Sequence, residues 1–321
     1  MYKKEVCRRL RHTFSTSGWV LLLYYGIMNA AVSAVSFVIT LVEILSLPED
    51  TENIDSVIYA AADSGWGYII TIAVGFLLLL LWKKKDFCFR EIWRSAKPMT
   101  PGVFFSLFAV FFSVQAVAQV LSAVMELIFN HFGMSMMEGM EQVSTTGDTV
   151  SMFLYVAILA PVSEEILFRG AILRSLQPFG KKFAVLASAF LFGMFHGNLI
   201  QTPYAFLVGL VLGYVTVEYS MGWAIFLHLL NNLVLVDMMN RISAMLPTAV
   251  GSLLTLLFIW GCAIAAVVIL IVKRHDVAVY LRTKRMHPWC LKSFFTSPGV
   301  LTFTGFMGFS ILMTLLLQLL V

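Results

Sequence analysis

Three short stretches hold the residues able to do chemistry. The first reads Ala160-Pro161-Val162-Ser163-Glu164-Glu165-Ile166-Leu167-Phe168-Arg169-Gly170. The second reads Phe192-Gly193-Met194-Phe195-His196-Gly197-Asn198, and the third His228-Leu229-Leu230-Asn231-Asn232. Each lies in an apolar run, where ionisable groups at bilayer depth are costly and call for a reason. A carboxylate and an imidazole can hold a water and take its proton as it attacks a carbonyl. A second imidazole and an amide can donate to the oxyanion that develops. Glu164, His196 and His228 also form a sensible three-ligand set for Zn²⁺, with a fourth position left for water. The plainer readings are interhelical hydrogen bonds for the histidines and for Asn231 and Asn232, and a structural ion pair for Glu165 with Arg169.

Helical spacing sorts these groups. Glu165 and Arg169 are i,i+4 neighbours and can pair, which offsets the burial of both charges. Glu164 lies about 100° around the helix and is left to face another helix. Pro161 removes a backbone donor one turn before Glu164 and disturbs the helix there. His228 and Asn232 share a face, and so do Phe192 and His196, with Phe192 as a wall beside the imidazole. Gly193 with Gly197, and Gly209 with Gly213, have the spacing that lets helices approach closely.

The elements that must position these groups are membrane helices. The chain is 60% hydrophobic and 12% charged, with mean hydropathy +0.87. Soluble domains carry roughly 25% charged residues. That composition excludes a disordered chain, a nucleic-acid module, a fibre and a secreted disulfide scaffold. A span needs about 20 mainly apolar residues. Nine stretches qualify, near 18–46, 66–82, 103–128, 151–176, 183–199, 202–219, 222–240, 250–272 and 299–321, or eight if the last lies at the interface. The fold expected is an all-α polytopic transmembrane helical bundle with a polar catalytic cavity between spans four, five and seven. It divides into N-terminal spans over 1–149, a core over 150–240 and C-terminal spans over 241–321.

Charge orients the bundle, because lysine and arginine favour the cytoplasmic side. With nine spans, the basic residues before span one, between spans two and three, around Arg169–Lys182 and between spans eight and nine all fall on one side, and Arg241 alone on the other. The N-terminus is then cytoplasmic. Glu49, Asp50, Glu52, Asp55 and Asp63 fall in the opposite loop, and Met134–Thr149 reads as an external loop. The first apolar stretch outruns a signal peptide and has no cleavage site, so it is retained. Cys7, Cys88 and Cys290 fall on the reducing side and Cys262 within a span, so no disulfide set is expected. The basic stretch Lys273–Pro298 reads as a linker lying on anionic lipid.

Glu164-Glu165-x-x-x-Arg169, Phe192-x-x-x-His196 and His228-x-x-x-Asn232 together resemble the three motifs of the CPBP family (CAAX proteases and bacteriocin-processing proteins, the Abi-like family), in the family's order. The resemblance covers about 150–240 and is similar to the type II CAAX prenyl endopeptidases. It implies that Glu164 and His196 activate water, that His228 and Asn232 form the oxyanion site, and that Glu165, Arg169 and Phe192 support them. Both a metalloprotease and a metal-free, glutamate-dependent enzyme are argued for such proteins. The chain has no HExxH to decide between them, and the pairing of His228 with an amide favours the metal-free form. Zn²⁺ remains the candidate cofactor, with Glu164, His196 and His228 as its ligands.

Two other functions compete with an intramembrane endopeptidase. One is a non-catalytic immunity or regulatory protein that binds a toxin or a sensor kinase. The other is a transporter, which the absence of a second copy of the motifs disfavours. The expected partners are membrane lipid and a membrane-associated protein or peptide substrate, reached through a gap between helices. No nucleic-acid partner is expected, and the location is a multi-pass position in a membrane, the cell membrane for a bacterial source.

Overall fold

The computed structural model describes residues 2–46, 61, 63–131, 149–238, 242, 245–283 and 288–320. The expected loop at Met134–Thr149 (apart from Thr149), the acidic residues from Glu49 to Asp55, and Arg241 lie outside the described residues. Every described element is helical: α1 (Tyr2–Ser46), α2 (Trp66–Asp86), α3 (Pro101–His131), α4 (Val150–Phe179), α5 (Lys181–Phe195), α6 (Gln201–Glu218), α7 (Met221–Leu230), α8 (Thr248–Val272), α9 (Arg274–Thr283), α10 (Pro288–Phe295) and α11 (Pro298–Leu320).

Six of these are long and apolar enough to cross a membrane: α1 over Leu10–Ser46, α2 over Trp66–Lys83, α3, α4, α8, and α11 over Pro298–Leu316. The chain is a multi-pass membrane protein. The three stretches that fall short, α5, α6 and α7, are those expected as spans five, six and seven. With 15 residues, α5 reaches only about 22 Å at 1.5 Å per residue. The apolar part of α7 is likewise short, Met221–Val234. Many of their apolar side chains are buried in protein: Phe183, Leu191, Leu212, Val215 and Leu227 are all fully buried. Hydropathy scores burial by lipid and burial by protein alike. The long helices instead leave large side chains such as Phe37, Leu81, Leu127, Leu257 and Phe309 on the outside, as a lipid-facing surface requires.

Local sequence explains where the site helices begin. Thr149 caps α4, its hydroxyl accepting from the Met152 amide at 3.2 Å. Ser220 caps α7 in the same way through Trp223 at 3.3 Å. α5 and α6 cross closely. A Cβ on Gly193 would stand 2.7 Å from the Thr202 carbonyl oxygen, and one on Gly209 would stand 3.0 Å from Cα of Ala189. Gly197 does not join this packing, contrary to the expected Gly193–Gly197 pair. It takes φ +60°, a left-handed conformation suited to glycine, and turns the chain away just after His196.

At the other end of α6, the buried Glu218 carboxylate meets Lys97 and Lys181, each at 3.2 Å. The Tyr280 hydroxyl of α9 donates to it at 3.4 Å. Burial and this carboxylate push the Tyr280 phenol up from its ordinary value. The basic linker is thereby tied to the core.

Candidate active site

The site is built on α4 and α7, whose backbones both depart from the regular α-helix. In α4, Tyr155–Leu159 and Glu165–Leu173 are π-helical, and Asn231–Met238 continues α7 in the same wide form. Pro161 brings no N–H to the helix. The turn before it widens, with the Ala160 amide donating to the Tyr155 carbonyl. The disturbance expected at Pro161 is therefore a π turn. Such turns cluster at functional sites.

Glu165 and Arg169 are both completely buried, with Nη1 3.1 Å from Oε1. The guanidinium carbon stands 4.2 Å over the centre of the Phe192 ring, a cation–π contact. Among the described residues, no hydrogen-bond partner aligns with the guanidinium nitrogens or with Oε2 of Glu165. The pair is held by charge and by the aromatic face. Arg169 was expected near the end of span four or just beyond it, as a marker of the cytoplasmic side. It is instead inside the helix packing, because its charge has a partner one turn away.

Glu165 has a second role that spacing along one helix could not reveal. Its Oε1 also accepts from Nδ1 of His228 at 3.0 Å. A carboxylate paired with arginine accepts only, so Nδ1 carries the hydrogen. Nε2 of the same ring faces Oε2 of Glu164 at 3.8 Å, beyond hydrogen-bond reach. Glu164 keeps 22% of its side chain exposed, whereas Glu165 keeps none. The two adjacent carboxylates thus have different environments.

His196 follows the last residue of α5. Its Nδ1 lies 2.9 Å from the Phe192 carbonyl oxygen. A carbonyl accepts only, so Nδ1 is again the donor, and Nε2 of the neutral ring keeps its lone pair. The ring lies within electrostatic reach of Glu164, His228 and Arg169. Phe192 is the common wall, set edge-on to His196 at 4.8 Å and to His228 at 6.0 Å between ring centres. Its face meets the arginine while the imidazoles pack at right angles, as the ring's charge distribution favours.

Asn232 is anchored. Its Nδ2 donates to the Val156 carbonyl of α4 at 2.7 Å, and its Oδ1 accepts from Nδ2 of Asn231 at 3.1 Å. Asn231 in turn bonds Gln115 of α3 and Tyr204 of α6. Gln115 and Tyr204 were not among the expected site residues. An amide within the apolar run of α3 was the available signal, shared with Gln119 one turn on. On the other face of α4, Tyr24, Gly75, Phe76, Ser163, Ile166 and Leu167 contribute to a mainly apolar cavity of about 120 Å³. Tyr24 and Tyr155 lie within electrostatic reach of Glu164.

Among the described residues, no three His, Cys, Asp or Glu side chains converge as a metal site. Nδ1 of His228 is committed to Glu165, and its Nε2 is 3.8 Å from Glu164. With both Nδ1 atoms donating, Nε2 of His196, Nε2 of His228 and the Glu164 carboxylate are the atoms that would hold a Zn²⁺, which would supply a polarised water there.

With this geometry in view, residues 146–234 match the family model described as type II CAAX prenyl endopeptidase Rce1-like. Over this stretch the chain is similar to that family, and the stretch is called the Rce1-like domain. It holds Glu164, Glu165, Arg169, Phe192, His196, His228 and Asn232, together with Tyr204. Tyr24 and Gln115 reach towards the Rce1-like domain from helices outside the match. No curated protein and no solved structure matches the chain.

Proposed function

We propose that the protein is an intramembrane endopeptidase that hydrolyses a peptide bond in a membrane-associated substrate, of CAAX type or a peptide precursor. Residues 150–240 form its catalytic core, and the segments 1–149 and 241–321 surround it. The N-terminus is cytoplasmic, on the evidence of the basic residues.

The reading rests on the contrast between two imidazoles that both donate through Nδ1. His196 keeps a lone pair on Nε2. With Glu164 it holds a water, and the pair takes the proton as oxygen attacks the carbonyl carbon. The breaking C–N bond then receives that proton on nitrogen, and the new carboxyl terminus keeps the water oxygen. His228 stands between two carboxylates, with Glu165 on Nδ1 and Glu164 facing Nε2. With a hydrogen on Nε2, the ring donates to the developing oxyanion, beside the remaining N–H of Asn232. Glu165 and Arg169 hold the His228 ring in place, and Phe192 keeps water from the back of both rings.

The test compares membranes carrying equal amounts of folded wild type, Glu164→Gln or His196→Ala. Peptide termini present only with wild type support the reading. Termini unchanged in both variants would overturn it and leave a binding role, for a toxin or a sensor kinase. Saturating 1,10-phenanthroline should leave the wild-type rate unchanged. Loss that Zn²⁺ restores would contradict the metal-free form.

A further inference from the structure

We infer that Gln115 and Tyr204 are positioning residues for Asn232, so that α3, a helix outside the Rce1-like domain, helps set the oxyanion site. This rests on the catalytic reading above. The observation is a directed chain of hydrogen bonds across four helices. Nε2 of Gln115 donates to Oδ1 of Asn231 at 3.2 Å. The Tyr204 hydroxyl donates to the same oxygen at 3.2 Å and accepts from Gln115. Nδ2 of Asn231 then donates to Oδ1 of Asn232 at 3.1 Å, and Nδ2 of Asn232 donates to the Val156 carbonyl at 2.7 Å.

Each link fixes the sense of the next. An asparagine amide can turn over, exchanging its oxygen and nitrogen, unless its partners forbid it. The Val156 carbonyl accepts only, so the Asn232 atom that it meets is the nitrogen, and Oδ1 of Asn232 faces Asn231. The Asn231 atom that meets it must then be the nitrogen, and the Asn231 oxygen is left to accept from Gln115 and Tyr204. The Asn232 NH₂ is left on the α4 side, with one hydrogen on Val156 and the other free to donate. Without Gln115 and Tyr204, the Asn231 oxygen is buried with neither donor, and nothing at that end holds the Asn231 nitrogen against Oδ1 of Asn232. Asn232 is then held by Val156 alone and can swing about that one bond, so the N–H that the oxyanion requires is no longer aimed. Asn231 is 6% exposed, so water competes poorly for these groups.

Position alone does not separate this role from ordinary helix packing, but dependence on Asn232 does. The full-length chain is placed in membranes as wild type, Gln115→Leu, Tyr204→Phe, Asn232→Ala, and each of the first two combined with Asn232→Ala. The rate of terminus formation is measured per folded molecule, with thermal midpoints alongside. Gln115→Leu and Tyr204→Phe should each slow cleavage by about tenfold to a hundredfold, as loss of an orienting partner does. Neither should slow it further once Asn232 is alanine, because interacting sites are non-additive. Tyr204→Phe removes one oxygen and keeps the ring, so it carries the test if Gln115→Leu does not fold. A wild-type rate in either folded single variant overturns the inference. So does equal slowing with and without Asn232, which is the mark of a purely structural role. Asn232→Ala at the wild-type rate would sink the oxyanion role of Asn232 and this inference with it, while loss in Glu164→Gln would still uphold the protease.

Discussion

The helices of the Rce1-like domain and the helices around them follow different rules. α1, α3, α8 and α11 are long, regular and apolar, and they show large side chains to lipid. α5 and α7 are short, α4 and α7 are π-widened, and they enclose a buried carboxylate, a buried arginine and a buried imidazole. Length and hydropathy are set by the bilayer where a helix faces lipid. Where a helix carries chemistry, the need to aim polar atoms across helix boundaries takes over, and regular geometry yields. The surrounding helices are still not a passive wrapper. Gln115 of α3 and Tyr24 of α1 both reach the neighbourhood of the site.

The comparison breaks first at Glu164. Glu164→Gln should lower cleavage by about 10²–10⁴-fold, the range for a lost general base, without moving the thermal midpoint, because this side chain is partly exposed and only 3.8 Å from one imidazole nitrogen. A parallel loss of folded protein would instead place Glu164 in the scaffold. Its neighbour should behave in the opposite way. Arg169→Leu leaves Glu165 buried without its countercharge and should cost about 3–5 kcal/mol of stability. Adding Glu165→Gln should restore much of it, since a neutral amide can still accept from His228. Denaturation in detergent would read both variants, and no recovery in the double variant would contradict the charge argument.

Outside the core the effects should be smaller and confined to stability. A Cβ on Gly299 would stand 2.0 Å from the Ser15 carbonyl oxygen, where α11 crosses α1. Gly299→Ala should therefore cost about 1–3 kcal/mol, as overpacking does, and the folded fraction should cleave at the wild-type rate. A slowed rate per folded molecule would show that this crossing also shapes the site. Leu257→Ala, on the outward face of α8 and 62% exposed, should change stability by no more than about 0.5 kcal/mol. A larger loss would mean that α8 meets protein there rather than lipid.

The sequence was most legible where one helix decides the outcome. The i,i+4 spacing of Glu165 and Arg169 foretold their contact, and Pro161 marked the point where α4 widens. Contacts between helices were not legible. Nothing in the spacing could show that Glu165 also holds His228, and a regular helical wheel loses phase where π turns begin at Glu165 and Asn231. Hydropathy alone could not assign α5, α6 and α7, because leucine and phenylalanine buried in protein score like those in lipid. Gly197 matched a packing pattern by spacing, but its backbone ends a helix. Gln115 carried a partial signal, an amide in an apolar run that also holds Gln119, whereas its partners on α6 and α7 could be known only from the fold.

The most direct test of the central claim is a cleavage time course in H₂¹⁸O with membranes holding equal folded amounts of wild type and Glu164→Gln. If water held by Glu164 and His196 attacks the peptide bond, new carboxyl termini will appear with wild type, each carrying one ¹⁸O atom from solvent, and will be missing with Glu164→Gln. The same labelled termini forming at the same rate in both would contradict the account.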